Sequence, residues 1–104
     1  MPLPGSTVKL TRMRRIIAAR MSESLRIGAQ LTAVQEVDVS GISEVRNRVK
    51  GQFREAEGIS LSYLPFFVRS LVEACLEFPQ FNASIDESGT HVTYHDGVHV
   101  GIAV

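Results

Sequence analysis

The sequence predicts an α/β fold, a mixed sheet with flanking helices, from three observations. Two segments carry apolar residues at spacings of three and four, which is typical of amphipathic helices. Other segments alternate apolar and polar residues, or face each other across a turn, which is typical of strands. A further helical stretch within residues 61–86 is apolar nearly all round. Such a helix is expected to lie buried between other layers.

Length and composition narrow the class of protein. The 104 residues suffice for one domain, and 11 basic residues balance 11 acidic ones, which argues against a surface built for nucleic acid or an anionic membrane. The single cysteine, Cys75, permits no intrachain disulfide and fits a reducing compartment. No apolar run approaches the roughly 20 residues of a membrane span. We therefore expect a soluble intracellular protein.

The chain is expected to begin with a short linker and one amphipathic helix. Residues 1–8 are rich in Pro, Gly, Ser and Thr and are interpreted as a linker end or cloning remnant, which leaves residues 9–104 as the domain proper. Thr11 can cap a helix that Gly28 ends. The apolar stripe of this helix consists of Met13, Ile16, Ile17, Met21 and Leu25.

A strand and a second helix are predicted next. Residues 30–39 alternate with a period of two, which predicts a half-buried strand. Asp38 or Ser40 then opens a helix, and Gly58 ends it. The apolar stripe of this second helix consists of Ile42, Val45, Val49, Phe53 and Ala56.

The third helix follows a short extended entry at residues 59–61. Ser62 is the expected N-cap, and Pro65 suits the first turn, where no backbone donor is lost. Cys75 lies inside this apolar helix, where packing is the favoured interpretation over a reactive thiol. The apolar members are Phe66, Phe67, Val68, Leu71, Val72, Ala74, Cys75, Leu76 and Phe78.

The last part of the sequence predicts strands. Residues 81–86 and 91–94 flank the turn at residues 87–90 and have the pattern of a hairpin. Asp96 and Gly97 form another turn into a predicted apolar strand over residues 98–104. Because an apolar edge strand invites aggregation, we expect this stretch to be covered by further protein. The chain is therefore interpreted as a fragment of a longer α/β domain.

Three histidines are candidate metal ligands. His91, His95 and His99 are spaced by four, but their neighbours predict extended chain with an intervening turn. That spacing brings ligands to one face only on a helix, so no metal site is expected. A catalytic H-x-x-x-D-G motif also fails by one position, because Val92 precedes Asp96 by four residues.

The first helix carries a basic face with three possible roles. A solvated or subunit-facing surface is the favoured interpretation, and a site for a phosphate-bearing ligand is the second. Nucleic-acid binding is the third and least favoured role, because no aromatic residues interleave with the charges. The face is formed by Arg12, Arg15, Arg20 and Arg26.

Three segments together resemble the catalytic domain of the dihydrolipoyl acyltransferases, which form the core of 2-oxoacid dehydrogenase complexes. Residues 11–24 are similar to the family's opening R-x-x-I-A-x-x-M-x-x-S helix, and residues 29–40 are similar to its next stretch. The third segment comprises Leu-Pro-Phe-Phe at 64–67, Phe-Pro-Gln-Phe-Asn-Ala-Ser-Ile-Asp at 78–86, and residues 94–104. Their order and spacing over about 95 residues carry the resemblance.

The resemblance implies a chloramphenicol-acetyltransferase-like fold, here its N-terminal half, in a homotrimer that assembles into a larger core. It implies acyl transfer between dihydrolipoyl-lysine and coenzyme A, with the lipoyl group on a separate domain and other complex components as partners. In the family, an H-x-x-x-D-G histidine is the general base, and a Ser or Thr hydroxyl stabilises the oxyanion. Both belong to the second half of the domain, so the fragment alone is expected to be inactive.

One site residue carries over from the resemblance. Arg14 corresponds to an opening-helix arginine that supports the active site in relatives by pairing near the catalytic histidine. The sequence Ala-Gln-Leu-Thr at residues 29–32 resembles the acetyl- or succinyl-transferring members more than the branched-chain ones. No metal, nucleic acid or membrane is expected as a partner. The expected location is the cytoplasm, or the mitochondrial matrix in a eukaryote. The alternative function is a catalytically empty core or subunit-binding module that uses the same fold for assembly.

Overall fold

The computed structural model describes residues 2–104, which contain three α-helices and a two-stranded sheet. The helices are α1 (Arg12–Ile27), α2 (Ser40–Glu57) and α3 (Leu64–Glu77). A 3₁₀ turn at Pro79–Asn82 leads into the strands β1 (Ala83–Ile85) and β2 (Val92–Tyr94). The contacts divide the chain into two units, one running to Glu36 and the other comprising Val37–Val104.

The first unit consists mainly of α1. Its predicted ends are confirmed, because the Thr11 hydroxyl accepts a hydrogen bond from the Arg14 amide at 3.3 Å and Gly28 is the C-cap. Its apolar stripe is exposed within this unit. The only ion pair of α1 in the described chain joins Arg20 and Glu23 at 3.5 Å, on the helix surface.

The predicted strand over residues 30–39 is wrong for this structure. The segment is neither helix nor strand, and the side chains of Leu31 and Val34 are 96% and 91% exposed. A period-two pattern marks which side chains would face a sheet, but a strand exists only where the backbone pairs with a neighbour. Neither described strand pairs with this segment.

The second unit begins with α2, whose predicted start and end are close to those observed. Asp38 precedes the helix and accepts hydrogen bonds from the Ser40 hydroxyl at 2.6 Å and the Ser40 amide at 2.9 Å. These bonds, led by the hydroxyl, hold the pKa of Asp38 below its ordinary value of 3.8. At the other end Gly58 is left-handed, with φ 74°, and its amide closes the last turn on Arg54.

The N-cap of α3 lies one residue later than predicted. Tyr63, rather than Ser62, is its N-cap residue, and Pro65 lies in the first turn as predicted. The predicted all-round burial is not provided by residues 2–104, because no α3 residue is buried and Leu64, Phe67 and Leu71 are about half exposed. The apolar residues of α3 favour burial, but residues 2–104 provide too few packed helices and strands to cover them.

The predicted hairpin is confirmed and the predicted last strand is not. β1 and β2 are antiparallel with Ser84 opposite Thr93, and Gly89 in the turn has φ 70°. Residues 98–104 form no strand, since the described sheet has two strands and neither pairs with them. No helix in residues 2–104 combines the length and hydropathy that crossing a membrane requires.

Candidate anion-binding site

A basic pocket lies between the second half of α2 and the segment that leads to α3. Its volume is about 340 Å³. Residues spaced by four lie on one face of a helix, so α2 directs three cationic side chains to the same side. The lining residues are Arg46, Lys50, Gly51, Arg54, Ser60 and Leu61.

Arg46 is the most constrained of the three cations. Its Nε donates to the backbone carbonyl of Leu61 at 2.8 Å, and its Cζ lies 4.8 Å from the centre of the Tyr63 ring. Both partners are uncharged, so these contacts orient the guanidinium without neutralising it. The two Nη groups keep their donors, which suit an anionic ligand.

The rest of the pocket is also free of negative charge. Arg54 donates to the Ser60 hydroxyl at 3.4 Å, and no carboxylate lines the cavity. Within residues 2–104 the ion pairs engage neither Lys50 nor the two arginines. No described atom lies within 4 Å of the position that a Cβ on Gly51 would occupy, so the pocket stays open there. Two guanidinium groups, one ammonium and one hydroxyl can together bind a phosphate group.

An apolar groove is lined by the next residues of the same connecting segment and by α3. Ser60 and Leu61 line the basic pocket, whereas Ser62 and Leu64 line this groove. Its volume is about 530 Å³, and its remaining wall is formed mainly by Pro65, Val68, Val72 and Ile102. Arg69 also lines it, but its Nε is paired with Glu73 at 2.9 Å. The groove therefore accepts apolar rather than charged groups.

The three histidines do not converge on one site. His91 Nδ1 lies 3.2 Å from the Asp86 carboxylate, whereas His95 Nε2 lies 2.8 Å from the Ser84 hydroxyl. His95 and His99 line the same small cavity beside Gly97, and His91 is not part of its lining. No group of three or more His, Cys, Asp or Glu side chains in residues 2–104 could hold a metal ion.

Arg14, the one site residue expected from the resemblance, lies in the first turn of α1. Its amide contacts Thr11, and its side chain is exposed within the first unit. Its supporting role stays a prediction.

The basic pocket on α2 was missed by sequence reasoning, which considered a phosphate ligand only for the arginines of α1. The available signal was the spacing of four between Arg46, Lys50 and Arg54. That spacing does not reveal that Ser60 and Leu61 lie against the basic face of α2 and complete the cavity.

The arrangement defines a class of protein: an α/β domain with a basic pocket whose donors suit a phosphate group and with a separate apolar groove. Comparison with known proteins identifies the family. The profile of the 2-oxoacid dehydrogenases acyltransferase (catalytic domain) matches residues 3–104. The chain belongs to this family.

Two curated relatives illustrate the similarity. The dihydrolipoyllysine-residue acetyltransferase component of the pyruvate dehydrogenase complex of Corynebacterium glutamicum is 44% identical over 102 residues, 98% of this chain and 15% of the relative. The dihydrolipoyllysine-residue succinyltransferase component of the 2-oxoglutarate dehydrogenase complex of Cupriavidus necator is 38% identical over 101 residues, 97% of this chain and 24% of the relative. The chain thus spans less than a quarter of either of these two proteins.

A solved structure supports the fold. The crystal structure of a probable dihydrolipoamide acetyltransferase from Listeria monocytogenes matches with a TM-score of 0.72 and 31% sequence identity. The match covers 89% of this chain and 39% of that one. The predicted α/β acyltransferase fold, represented by a part of the domain, is confirmed.

Proposed function

We propose that this chain is the N-terminal half of an acyltransferase catalytic domain that moves an acetyl or succinyl group between dihydrolipoyl-lysine and coenzyme A. The family match over residues 3–104 supports the reaction class. One relative is named as an acetyltransferase component and the other as a succinyltransferase component, so the proposal covers both acyl groups. The enzyme would work within a 2-oxoacid dehydrogenase complex.

The basic pocket on α2 is the part of the coenzyme A site that this chain contributes. Coenzyme A carries phosphate groups, and the pocket combines Arg46, Lys50 and Arg54 without a lining carboxylate. This observation carries the assignment, because each charge-assisted hydrogen bond to a phosphate oxygen is stronger than its neutral counterpart.

The chemistry of acyl transfer assigns this chain a binding role. The thiolate of one substrate attacks the carbonyl carbon of the other substrate's thioester, and the tetrahedral oxyanion then expels the second thiolate. The family's general base belongs to an H-x-x-x-D-G motif, and here Val92 stands where the histidine would be. The chain alone is therefore proposed to be inactive, with Arg14 supporting the site that a complete domain would form.

The partners follow from the same proposal. A homotrimer would assemble into a larger core, to which a lipoyl domain delivers the acyl group and other 2-oxoacid dehydrogenase components supply it. The proposed location is the cytoplasm, or the mitochondrial matrix in a eukaryote. Support comes from the two relatives, each of which is named as a component of such a complex.

The binding assignment is tested with the chain's two lysines, which provide a matched pair. Lys50 lines the pocket, whereas Lys9 lies in the first unit. Lys50→Gln should weaken coenzyme A binding, measured by calorimetry, by roughly five- to tenfold, because one charged donor is lost. Lys9→Gln makes the same change in net charge and should leave the affinity within twofold. Equal losses in both variants would indicate diffuse charge attraction and overturn the assignment.

The proposed inactivity has its own test. The purified chain is incubated with acetyl coenzyme A or succinyl coenzyme A and dihydrolipoamide, and acyl-dihydrolipoamide is quantified against a protein-free control. No product above the control is expected. Transfer above it would contradict the proposed inactivity and indicate a catalytic base within residues 1–104.

A further inference from the structure

Tyr63 lies next to the basic pocket without lining it, and it contacts residues of both α2 and α3. Its ring faces the guanidinium of Arg46, whose Cζ is 4.8 Å from the ring centre. Its hydroxyl lies 2.9 Å from the Ser43 hydroxyl on α2. The ring also stacks on Phe67 of α3, with centroids 6.4 Å apart and planes inclined by 23°. Tyr63 is therefore fixed from both helices.

These contacts bear on the freedom of Arg46. An unrestrained arginine side chain has large rotamer entropy, part of which is lost when it orders on a ligand. Here the Leu61 carbonyl accepts from Nε, and the ring of Tyr63 lies against the guanidinium, 4.8 Å from Cζ. The side chain is thus ordered before any ligand arrives, which lowers the entropic cost of binding.

We propose that Tyr63 is a positioning residue that holds Arg46 ready for a phosphate group of coenzyme A. The inference rests on the proposed function, since it takes the α2 pocket as the phosphate site. Tyr63 acts through its ring face, and Ser43 and Phe67 keep that face in place. The ligand itself contacts Arg46, Lys50 and Arg54 rather than Tyr63.

Two substitutions separate the ring from the hydroxyl. Tyr63→Phe keeps the ring under Arg46 and loses the Ser43 contact, so coenzyme A affinity should fall by no more than about twofold. Tyr63→Leu keeps apolar bulk and removes the π face, so the affinity should fall by roughly three- to fivefold, the scale of one exposed cation–π contact. Phe81→Leu is the matched control, because Phe81 contacts Phe78 and is distant in sequence from the pocket residues.

A spectroscopic signature tests positioning without any ligand. In the ¹H–¹⁵N spectrum of the 104-residue chain, the Nε–H resonance of Arg46 should be displaced by the ring current of Tyr63 and protected by the Leu61 carbonyl. Tyr63→Phe should retain both properties, whereas Tyr63→Leu should return the resonance toward its unstructured position. Far-ultraviolet circular dichroism of each variant verifies that the helices persist.

The outcomes distinguish this inference from the proposed function. If Lys50→Gln weakens coenzyme A binding but Tyr63→Leu does not, the pocket stands and the role of Tyr63 is overturned. If Lys50→Gln has no effect, the pocket assignment fails, and the Tyr63 proposal falls with it. The Arg46 resonance then reports only a structural contact. Three results together support the proposal. Tyr63→Leu loses affinity for coenzyme A, and its Arg46 resonance returns toward the unstructured position. Tyr63→Phe keeps both the affinity and the displaced resonance of the wild type.

Discussion

Arg46 donates through Nε to the backbone carbonyl of Leu61 at 2.8 Å, and Leu61 is the one buried apolar residue in residues 2–104, at 8% exposure. The Arg46 side chain on α2 thus holds the backbone of the connecting segment at Leu61, where that segment is least exposed. Tyr63, two residues later, is held to the same helix through Ser43. The entry to α3 is therefore anchored on α2, and the basic pocket is formed by that anchoring.

Leu61→Ala should destabilise the second unit more than any other leucine substitution. Truncating a buried leucine removes apolar contacts and leaves a cavity, which costs about 2 kcal/mol at the lower end of the usual range. The measurement is urea unfolding followed by circular dichroism at 222 nm. Leu31→Ala, at a side chain that is 96% exposed, is the control and should change the free energy of unfolding by less than about 0.5 kcal/mol. Equal losses would show that Leu61 is not a packing centre.

Helix boundaries were predictable because their signals are local. Thr11, Gly28 and Gly58 act on the backbone within a few residues, so their roles hold whatever surrounds them. The strands over residues 30–39 and 98–104 depend on neighbours that the described chain does not provide. The hairpin formed because both of its strands and its turn lie within residues 83–94.

The candidate site shows the same division. The charges on α2 were visible in the sequence, but the pocket also needs Ser60 and Leu61, which return along the helix ten or more residues after Lys50. That return depends on the Arg46–Leu61 hydrogen bond, a contact between residues 15 positions apart. Spacing within one helix predicts a charged face, whereas closing it into a cavity is a tertiary event.

Gly58→Ala should lower the stability of the second unit by about 1 kcal/mol. Gly58 has φ 74°, a left-handed conformation that costs a residue with a Cβ about this much. No described atom would clash with the added methyl group, so the cost is conformational. Gly51→Ala, in the interior of α2 and also free of contacts, is expected to stabilise the helix by roughly 0.5–1 kcal/mol. Opposite signs for the two variants in urea unfolding would verify the assignment, and the same sign would contradict it.

Thr11→Ala should reduce the helicity of α1. The Thr11 hydroxyl accepts from the Arg14 amide, one of the first-turn donors that have no partner within the helix. Losing such a cap costs about 1 kcal/mol, and α1 has no buried residue that would compensate. The secondary Cα chemical shifts of residues 12–15 measure the effect directly. Thr11→Ser keeps the acceptor and should retain those shifts, and a similar loss in both variants would contradict the cap.

The hairpin turn should loosen in acid because of Asp86. Its pKa is held below the ordinary value of 3.8, first by the Thr90 amide, against a smaller opposing effect of desolvation, and then by the Ser88 hydroxyl and by His91. The distances are 3.0 Å from Asp86 Oδ1 to Thr90 N and to Ser88 Oγ, and 3.3 Å to His91 N. A carboxyl group whose pKa is lowered by folding stabilises the folded turn above its unfolded pKa. That contribution is lost as pH falls through the lower, folded pKa.

The amide proton of Thr90 reports this transition. Below about pH 4 its chemical shift should move as the carboxylate is protonated and the acceptor weakens. Asp86→Asn removes the charge while keeping a carbonyl acceptor, so its Thr90 shift should show no such acid transition. Asp96→Asn is the matched control at a second exposed aspartate and should leave the wild-type transition in place. A Thr90 shift that titrates equally in Asp86→Asn would assign the transition to another group and contradict the role of Asp86.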